Sequence, residues 1–274
     1  MSLLSLTPAG AACGAWYDAY DRSTITLDGT RVTAVADKSG NSVALSNAEG
    51  TDTRHPTYSE SEGALVFTHD AGQYLRHDTF DPDYDEVTFF FSYTSLGDGD
   101  YFLTVSQDNN SSTGDFSLRL SGSGPSTGNV KYYIGRSTAM NENVDGVWDT
   151  GLKRVATVTH SNATDLSRFR LVGHSSTTTT AVPEYDKTLR TISSGERSLA
   201  GSVGPAGLFI GGDVGSSPWP DSVDVNIHEV AIYNKYMTEA EAAPIEEYLL
   251  NHGPPKAPAQ SPPSMGLGIK SRRG

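Results

Sequence analysis

The chain has 274 residues, of which 36% are hydrophobic and 19% charged, and its formal net charge is −13 at pH 7. An acidic surface repels phosphate backbones and anionic membranes, so we expect no nucleic-acid partner. No window approaches the roughly 18 apolar residues that membrane insertion requires, and the single cysteine, Cys13, excludes an internal disulfide. The first residues also lack the basic and apolar regions of a secretory signal, so we do not expect export by that route.

Strand signals recur along the chain with turn-forming residues between them. The β-branched and aromatic run 87–93 leads into the Gly- and Asp-rich segment 97–100 and then 101–105, which predicts a hairpin. Other short apolar or alternating runs predict strands at 63–67, 116–120, 132–134, 155–158, 169–172, 208–210 and 225–233. Because no helical pattern separates these strands, they favour an antiparallel sheet.

One short helix is predicted near the C-terminus. Thr238 and Glu241 have the spacing of a capping box, and an apolar face follows them. Pro244 should kink this helix or restart it, because proline removes a backbone donor. After Gly253 the chain is rich in proline, and Lys256, Lys270, Arg272 and Arg273 make it basic, so the composition predicts an extended tail.

Two stretches resemble a known family. The opening stretch Trp16-Tyr-Asp-Ala-Tyr-Asp with the turn Asp37-Lys-Ser-Gly-Asn41, and the closing stretch Ile227-His-Glu-Val-Ala-Ile-Tyr-Asn234, resemble concanavalin A-type, laminin-G-like domains. The resemblance implies an all-β, antiparallel two-sheet jelly-roll sandwich over residues 10–252. An N-terminal arm, residues 1–9, would precede it, and the Pro-rich tail, residues 253–274, would follow. Trp16 is expected in the core, and the 37–41 segment should form a side-chain-capped turn.

Catalytic motifs were sought in the same sequence. Retaining glycosidases built on this sandwich carry a Glu-x-Asp-x-x-Glu motif, which does not occur here. The seven histidines form no His-x-x-x-His or Glu-x-x-His cluster, and His228 is expected to be a packed strand residue. We therefore predict no catalytic residues and no enzyme activity.

Calcium was considered because Asp81, Asp83 and Asp85 alternate like the start of an EF-hand loop. The sixth position is Glu86 rather than glycine, and the twelfth is Ser92 rather than glutamate, so the segment is not an EF-hand. A looser oxygen site for Ca²⁺ stays open, but no cofactor or metal is predicted.

The loop 211–221 is the predicted ligand site. Trp219 stands between two prolines, which would hold its ring in place for stacking on a sugar, and Asp213 and Asp221 could accept hydrogen bonds from sugar hydroxyls. The alternative is that Trp219 covers a sheet edge or packs on a neighbouring subunit. Trp148 is a second candidate of the same kind.

The resemblance also implies a setting. Such domains are common in bacteriophage virions, so we expect a virion structural protein of the tail, fibre, head appendage or capsid decoration. It would be a homo-oligomer that docks on other virion proteins through its C-terminal tail and binds a host surface glycan. A secreted or cell-surface carbohydrate-binding module, or a polysaccharide-degrading enzyme, are the alternatives.

Overall fold

The computed structural model describes residues 12–47, 54–68, 72–80, 86–96, 103–106, 116–121, 127–134, 137–145, 151–161, 166–174, 181–188, 207–211 and 224–253. These residues form seventeen strands and one α-helix. The first nine strands are β1 Cys13–Asp18, β2 Ile25–Asp28, β3 Arg31–Val35, β4 Leu45–Ser46, β5 Thr57–Ser59, β6 Ala64–Phe67, β7 Leu75–His77, β8 Glu86–Ser95 and β9 Leu103–Ser106. The remaining elements are β10 Phe116–Ser121, β11 Thr127–Ile134, β12 Ser137–Asp145, β13 Lys153–Ser161, β14 Leu166–His174, β15 Ala181–Thr188, β16 Gly207–Ile210, β17 Val225–Tyr233 and the helix α1, Glu239–Asn251.

The strands form two layers joined along one edge. The first layer, called here the helix-side sheet, has the antiparallel order β1, β17, β8, β13, β14, β15. The second, the facing sheet, has the antiparallel order β12, β11, β10, β9, β16, β7, β4, β3, β2. Strands β5 and β6 link them, since β6 pairs with β17 and β5 pairs with β3. The fold is therefore the predicted all-β antiparallel sandwich with one short helix.

One predicted pairing is wrong. Strand β8 pairs with β13 and β17, whereas β9 pairs with β10 and β16 in the facing sheet. The segment that follows Leu96 therefore passes from one sheet to the other instead of closing a hairpin. The turn residues in 97–100 are local signals, and the burial of the aromatic side chains of β8 between two long neighbours outweighs them.

The sandwich interior is filled by alternate residues of the paired strands. On β8, Phe89, Phe91 and Tyr93 point inward and are fully buried, opposite Leu208 and Ile210 of the facing sheet. Complete burial of one such side chain stabilises the fold by about 1.5–3 kcal/mol. This layer is the main core of the domain.

A second apolar layer lies between the helix-side sheet and α1. Trp16, Phe90 and Tyr233 project from the outer face of the sheet and pack with Ile245 and Leu249 of the helix. Trp16 is buried, as predicted, but under the helix rather than between the sheets. Both faces of the helix-side sheet are covered, which explains why all nine residues of β17 are buried.

The ends of α1 match the sequence only in part. The capping box is confirmed, since the Glu241 carboxylate accepts from the Thr238 backbone N–H at 2.9 Å and Thr238 caps the first turn. The interruption at Pro244 is not seen, because the helix continues through it to Asn251. Among the described residues, no helix has both the length and the hydropathy to cross a membrane.

The predicted turn after β3 is confirmed in its details. The Asp37 carboxylate accepts from the backbone N–H groups of Trp16 at 2.9 Å and Ser39 at 2.8 Å, and from the Ser39 hydroxyl at 2.7 Å. Gly40 takes a φ of +92°, which glycine adopts without strain. The turn thus joins the start of β1 to the chain that follows β3.

Candidate functional site

The predicted ligand residues Trp219, Asp213 and Asp221 lie outside the described residues, as do Trp148 and the aspartates at 81, 83 and 85. The strands around them are described, however, and they fix where these segments attach. Val225 begins β17 opposite Ser95, Lys153 begins β13 opposite Thr94, and the last residue of β14, His174, pairs with Ala181.

All of these strand termini lie at one end of the helix-side sheet, which we call the loop end. The segments 97–102, 146–150, 175–180 and 212–223 are all connected to it. Two backbone hydrogen bonds tie their described flanks together, from Leu96 N to Asp224 O at 2.9 Å and from Gly151 N to Ser95 O at 3.1 Å. Trp148 and Trp219 are 71 positions apart in the sequence, yet they belong to segments that attach to the same end of the helix-side sheet.

Leu96 is the most conspicuous described residue at the loop end. Its side chain is 48% exposed, and among the described residues it is the one large hydrophobic side chain that is exposed. A single exposed leucine is not by itself a binding surface, but it lies at the point where four segments attach, and ligand sites commonly form from such converging segments. This part of the molecule is the first candidate site.

The outer face of the helix-side sheet carries a buried polar cluster at the same end. We use this name for Trp16, Asp18, Tyr20, Lys38, Lys153, His228, Glu229 and His252. Its acidic centre is the pair Asp18 and Glu229, which face each other across β1 and β17 and are 2% and 1% exposed. Buried carboxylates require partners, and the surrounding side chains supply them.

Asp18 is paired with a lysine. The Lys38 ammonium donates to Asp18 Oδ2 at 2.8 Å and to Asp21 Oδ2 at 2.9 Å, and it lies 4.6 Å from the centre of the Trp16 ring. Burial lowers the pKa of Lys38, but its hydrogen bonds to the two carboxylates outweigh this effect and raise the pKa overall. Lys38 therefore carries its positive charge at neutral pH.

Glu229 is held by a tryptophan and a histidine. Trp16 Nε1 donates to Glu229 Oε2 at 3.2 Å, and His252 Nδ1 lies 2.8 Å from Glu229 Oε1. Burial raises the pKa of Glu229 and outweighs the hydrogen bonds that lower it. The hydrogen bond to Glu229, in turn, raises the pKa of His252. The contact with Glu229 therefore favours the protonated form of His252, while burial disfavours the charged form of Glu229.

Tyr20 covers the cluster. Its ring stacks on His228 at 5.2 Å with an interplanar angle of 5°, and the Lys153 ammonium lies 4.9 Å from its centre. His228 donates from Nδ1 to the Gly63 carbonyl at 3.3 Å and accepts at Nε2 from the Thr94 hydroxyl at 2.9 Å. Burial lowers the pKa of Lys153 to about 8, and burial together with Lys153 lowers that of His228 to about 3. The prediction that His228 is a packed strand residue is confirmed.

A metal ion was considered at this cluster. Asp18, Glu229 and His252 each offer one potential metal-ligating atom, and these three atoms lie within 4.8 Å of one another. The positive charge that a cation would bring is supplied by Lys38 and Lys153, and a metal would have to displace Lys38 from Asp18. We therefore interpret the cluster as an internal ion-pair network that fastens β1 and the end of α1 to β17.

This cluster was not predicted from the sequence. Asp18 lies in the opening stretch that carries the family resemblance, and Glu229 lies in the closing stretch. If these two stretches had been predicted to pair as neighbouring strands, the two carboxylates would have been expected to lie close together. A Gly-x-Ser-x-Gly spacing at 124–128 was also overlooked. A nucleophile elbow joins a strand to a helix, whereas Ser126 falls between the antiparallel strands β10 and β11, so the structural context does not support a serine nucleophile there.

Comparison with known proteins bears on the fold. No protein-family model matches the chain, and no curated protein matches it. Among solved structures, Trypanosoma rangeli sialidase in complex with sialic acid superposes with a TM-score of 0.56 and 13% identity over 89% of this chain, but over 33% of the sialidase. A GH54 α-L-arabinofuranosidase superposes with a TM-score of 0.52 and 13% identity over 91% of this chain and 65% of its own.

These neighbours support the β-sandwich fold, which is consistent with the predicted concanavalin A-like sandwich. They also contradict the prediction that the protein has no enzyme activity, because these two solved structures, which superpose on most of its length, are glycosidases by name. The absence of a Glu-x-Asp-x-x-Glu motif was too narrow a test, since it covers one arrangement of catalytic carboxylates only. The chain spans about a third of the sialidases that it matches, at 33% of their length.

Proposed function

We propose that this chain is a carbohydrate-binding β-sandwich whose ligand site is at the loop end. The observation that carries the proposal is that the described flanks of four segments, two of which contain Trp148 and Trp219, lie at one end of the β-sandwich. Trp219 would stack on the CH face of a sugar ring, and Asp213 and Asp221 would accept hydrogen bonds from its hydroxyls. Leu96 would extend the apolar surface beside them.

A glycan array tests this proposal. Wild-type chain should bind a restricted set of glycans, and Trp219→Ala or Trp148→Ala should lower that signal at least about tenfold, because a stacked aromatic supplies much of the apolar contact. Tyr236→Ala is the matched control, since this partly buried aromatic lies beyond the opposite end of β17. An array without signal for wild-type chain, or equal losses in all three variants, would remove the basis of the proposal.

Glycoside hydrolysis is the second candidate function. The names of the structural neighbours favour it, and the Asp18–Glu229 pair, although interpreted above as structural, places two carboxylates opposite each other on paired strands. Both carboxylates are buried, so a substrate would have to displace Tyr20 or His252 to contact them. Release of nitrophenol from aryl α-L-arabinofuranosides and aryl sialosides tests the activity, and its loss in Asp18→Asn would assign it to this pair.

We further propose that the sandwich is displayed on a virion as a homo-oligomer. The family resemblance of the opening and closing segments supports this setting, and the basic residues of 254–274 suit an acidic docking partner. Deletion of 254–274 should leave the sandwich folded by circular dichroism and abolish incorporation into particles. Light scattering of the purified chain measures the oligomeric state, and unchanged incorporation of the truncated chain would favour a secreted or cell-surface module.

A further inference from the structure

A shallow groove lies between α1 and strands β13 and β14, on the outer face of the helix-side sheet. Thr159 of β13 and Arg168 and Arg170 of β14 line one side, and Glu239 and Met237 line the other. Glu239 is the first residue of α1, whereas the polar cluster lies at the helix's other end, beside His252. The groove is therefore separate from both candidate sites described above.

Two arginines in this groove already contact carboxylates: Arg170 Nε lies 3.3 Å from Oε2 of the buried Glu246, which also lines the groove, and both arginines contact the exposed Glu239. Arg168 and Arg170 are two positions apart on one strand, so their side chains lie on the same face. Arg170 Nη1 lies 2.8 Å from Glu239 Oε1, and Arg168 Nη2 lies 3.6 Å from Glu239 Oε2. The side chain of Glu239 is 54% exposed, so solvent competes for it and the ion pairs are weak. Glu239 marks a position where two guanidinium groups accept a carboxylate that an incoming group can displace.

A buried hydroxyl beside the arginines has no partner. Thr159 pairs with Arg168 across the two strands and is 5% exposed, and its Oγ1 makes no hydrogen bond among the described residues. The neighbouring Thr157, by contrast, donates to Glu246 Oε1 at 2.7 Å. A buried hydroxyl without a partner is unfavourable, so a ligand that provides one gains a hydrogen bond where the free protein has none.

We propose that this groove binds the carboxylate of an acidic sugar, a uronic or sialic acid residue. The carboxylate takes the place of Glu239 between Arg168 and Arg170, and a ring hydroxyl or ring oxygen contacts Thr159. The first turn of α1 adds the positive end of the helix dipole on the same side. The inference rests on the proposed carbohydrate binding and deepens it, since it names the chemical class of sugar and a second place for it.

The test is an NMR titration of the full chain with D-glucuronate and with N-acetylneuraminate. D-glucose, which lacks the carboxylate of glucuronate, is the neutral control ligand. Both acids should shift the resonances of groove residues, and glucose should not. Glu239→Gln removes the internal competitor and should tighten binding severalfold, while Arg168→Gln should weaken it about tenfold. Glu247→Gln is the matched control, because it also removes one negative charge from an exposed position of α1. It should leave the affinity unaltered.

Thr159→Val separates binding from folding. Because the hydroxyl has no partner in the part of the chain that the structure describes, its removal should leave the melting temperature equal or higher, yet weaken glucuronate binding severalfold. Equal binding of glucose and glucuronate, no shifts with either acid in Glu239→Gln, or full affinity in Arg168→Gln would overturn the inference. If acidic sugars do not bind in the groove but neutral glycans bind in a manner that requires Trp219, the groove proposal is wrong and the proposed function at the loop end is supported. If the glycan array shows no signal but glucuronate binds in the groove, the loop-end proposal is wrong and the groove proposal is supported.

Discussion

Nδ1 of His252 lies 2.8 Å from Oε1 of Glu229, which joins the residue after α1 to the middle of β17. The hydroxyl of Tyr248 lies 2.9 Å from the same Nδ1, and the Lys153 ammonium donates to the His252 carbonyl oxygen. The last turn of the helix is thereby fastened to the loop end of the helix-side sheet. Several consequences of this network can be measured.

The His252–Glu229 contact should make stability fall as pH rises. Because the pKa of His252 is raised, its contribution to the free energy of unfolding is complete below the ordinary histidine pKa of about 6.5 and is lost as pH rises through the raised value. The raised pKa of Glu229 acts in the same direction, from about 4.5 upward. We expect His252→Gln to lower the free energy of unfolding by about 1–2 kcal/mol at pH 5.5 and by less at pH 8.5.

Urea denaturation of wild-type chain and His252→Gln across this pH range provides the measurement. Glu247→Gln serves as a control, because it removes an exposed helix charge without touching the network. A difference between wild type and His252→Gln that stays constant from pH 5.5 to pH 8.5 would contradict the predicted linkage.

His228 should resist protonation in the folded protein. Its pKa is lowered to about 3 by burial and by Lys153, so the folded state remains neutral while the unfolded chain binds a proton below pH 6.5. This effect should reduce stability as pH falls, by on the order of 3 kcal/mol at pH 4. The imidazole resonance of His228, assigned with His228→Asn, should not titrate between pH 7.5 and pH 5. A midpoint near 6.5 would show that the ring is accessible.

Gly63 should tolerate no side chain. Gly63 and Gly29 have nearly the same backbone, with φ of +57° and +62°. A Cβ at Gly63 would lie 2.3 Å from Tyr20 Cδ1, whereas at Gly29 nothing lies within 4 Å. Gly29→Ala should therefore cost about 1–2 kcal/mol of left-handed strain, and Gly63→Ala roughly 2 kcal/mol more, because Tyr20 must move off His228. Equal losses in urea denaturation would refute the tight packing of Tyr20.

The capping box should carry measurable stability. Thr238→Ala removes the N-cap hydroxyl, which donates to the Glu241 carboxylate at 2.9 Å, so we expect a loss of about 1 kcal/mol. Thermal denaturation at neutral pH measures it, with Thr238→Ser as the conservative variant that retains the cap. If serine and alanine lose equally, the cap does not stabilise the helix.

Much of the strand pattern could be predicted, and the exceptions are of two kinds. The runs 87–93 and 225–233 are rich in β-branched and aromatic residues, and β8 and β17 contain them. No strand was predicted at β2, β3, β4, β5 or β7, which have only two to five residues each and therefore show too little of a period-two pattern. Strands β12 and β15 were missed as well; within the described part of the chain each pairs along one side, with β11 and with β14.

The groove beside α1 was also invisible in the sequence. Arg168 and Arg170 read as the polar face of a strand, and Glu239 as a solvated helix charge. Their meeting depends on the way α1 crosses β13 and β14, which is a property of packing between elements far apart in the chain. The same holds for the attachment of the Trp148 and Trp219 segments to one end.

Alternation of apolar residues, turn chemistry and the capping box were enough to determine an antiparallel sandwich with a terminal helix, because these are local signals that each segment carries by itself. Which strands pair, and which polar side chains meet, was decided by the tertiary structure alone. Trp16 and Glu229 are 213 positions apart, and only the pairing of the first strand with the last brings the indole N–H to the carboxylate. Burial then makes that contact necessary, since a carboxylate removed from water requires every partner that the fold can provide.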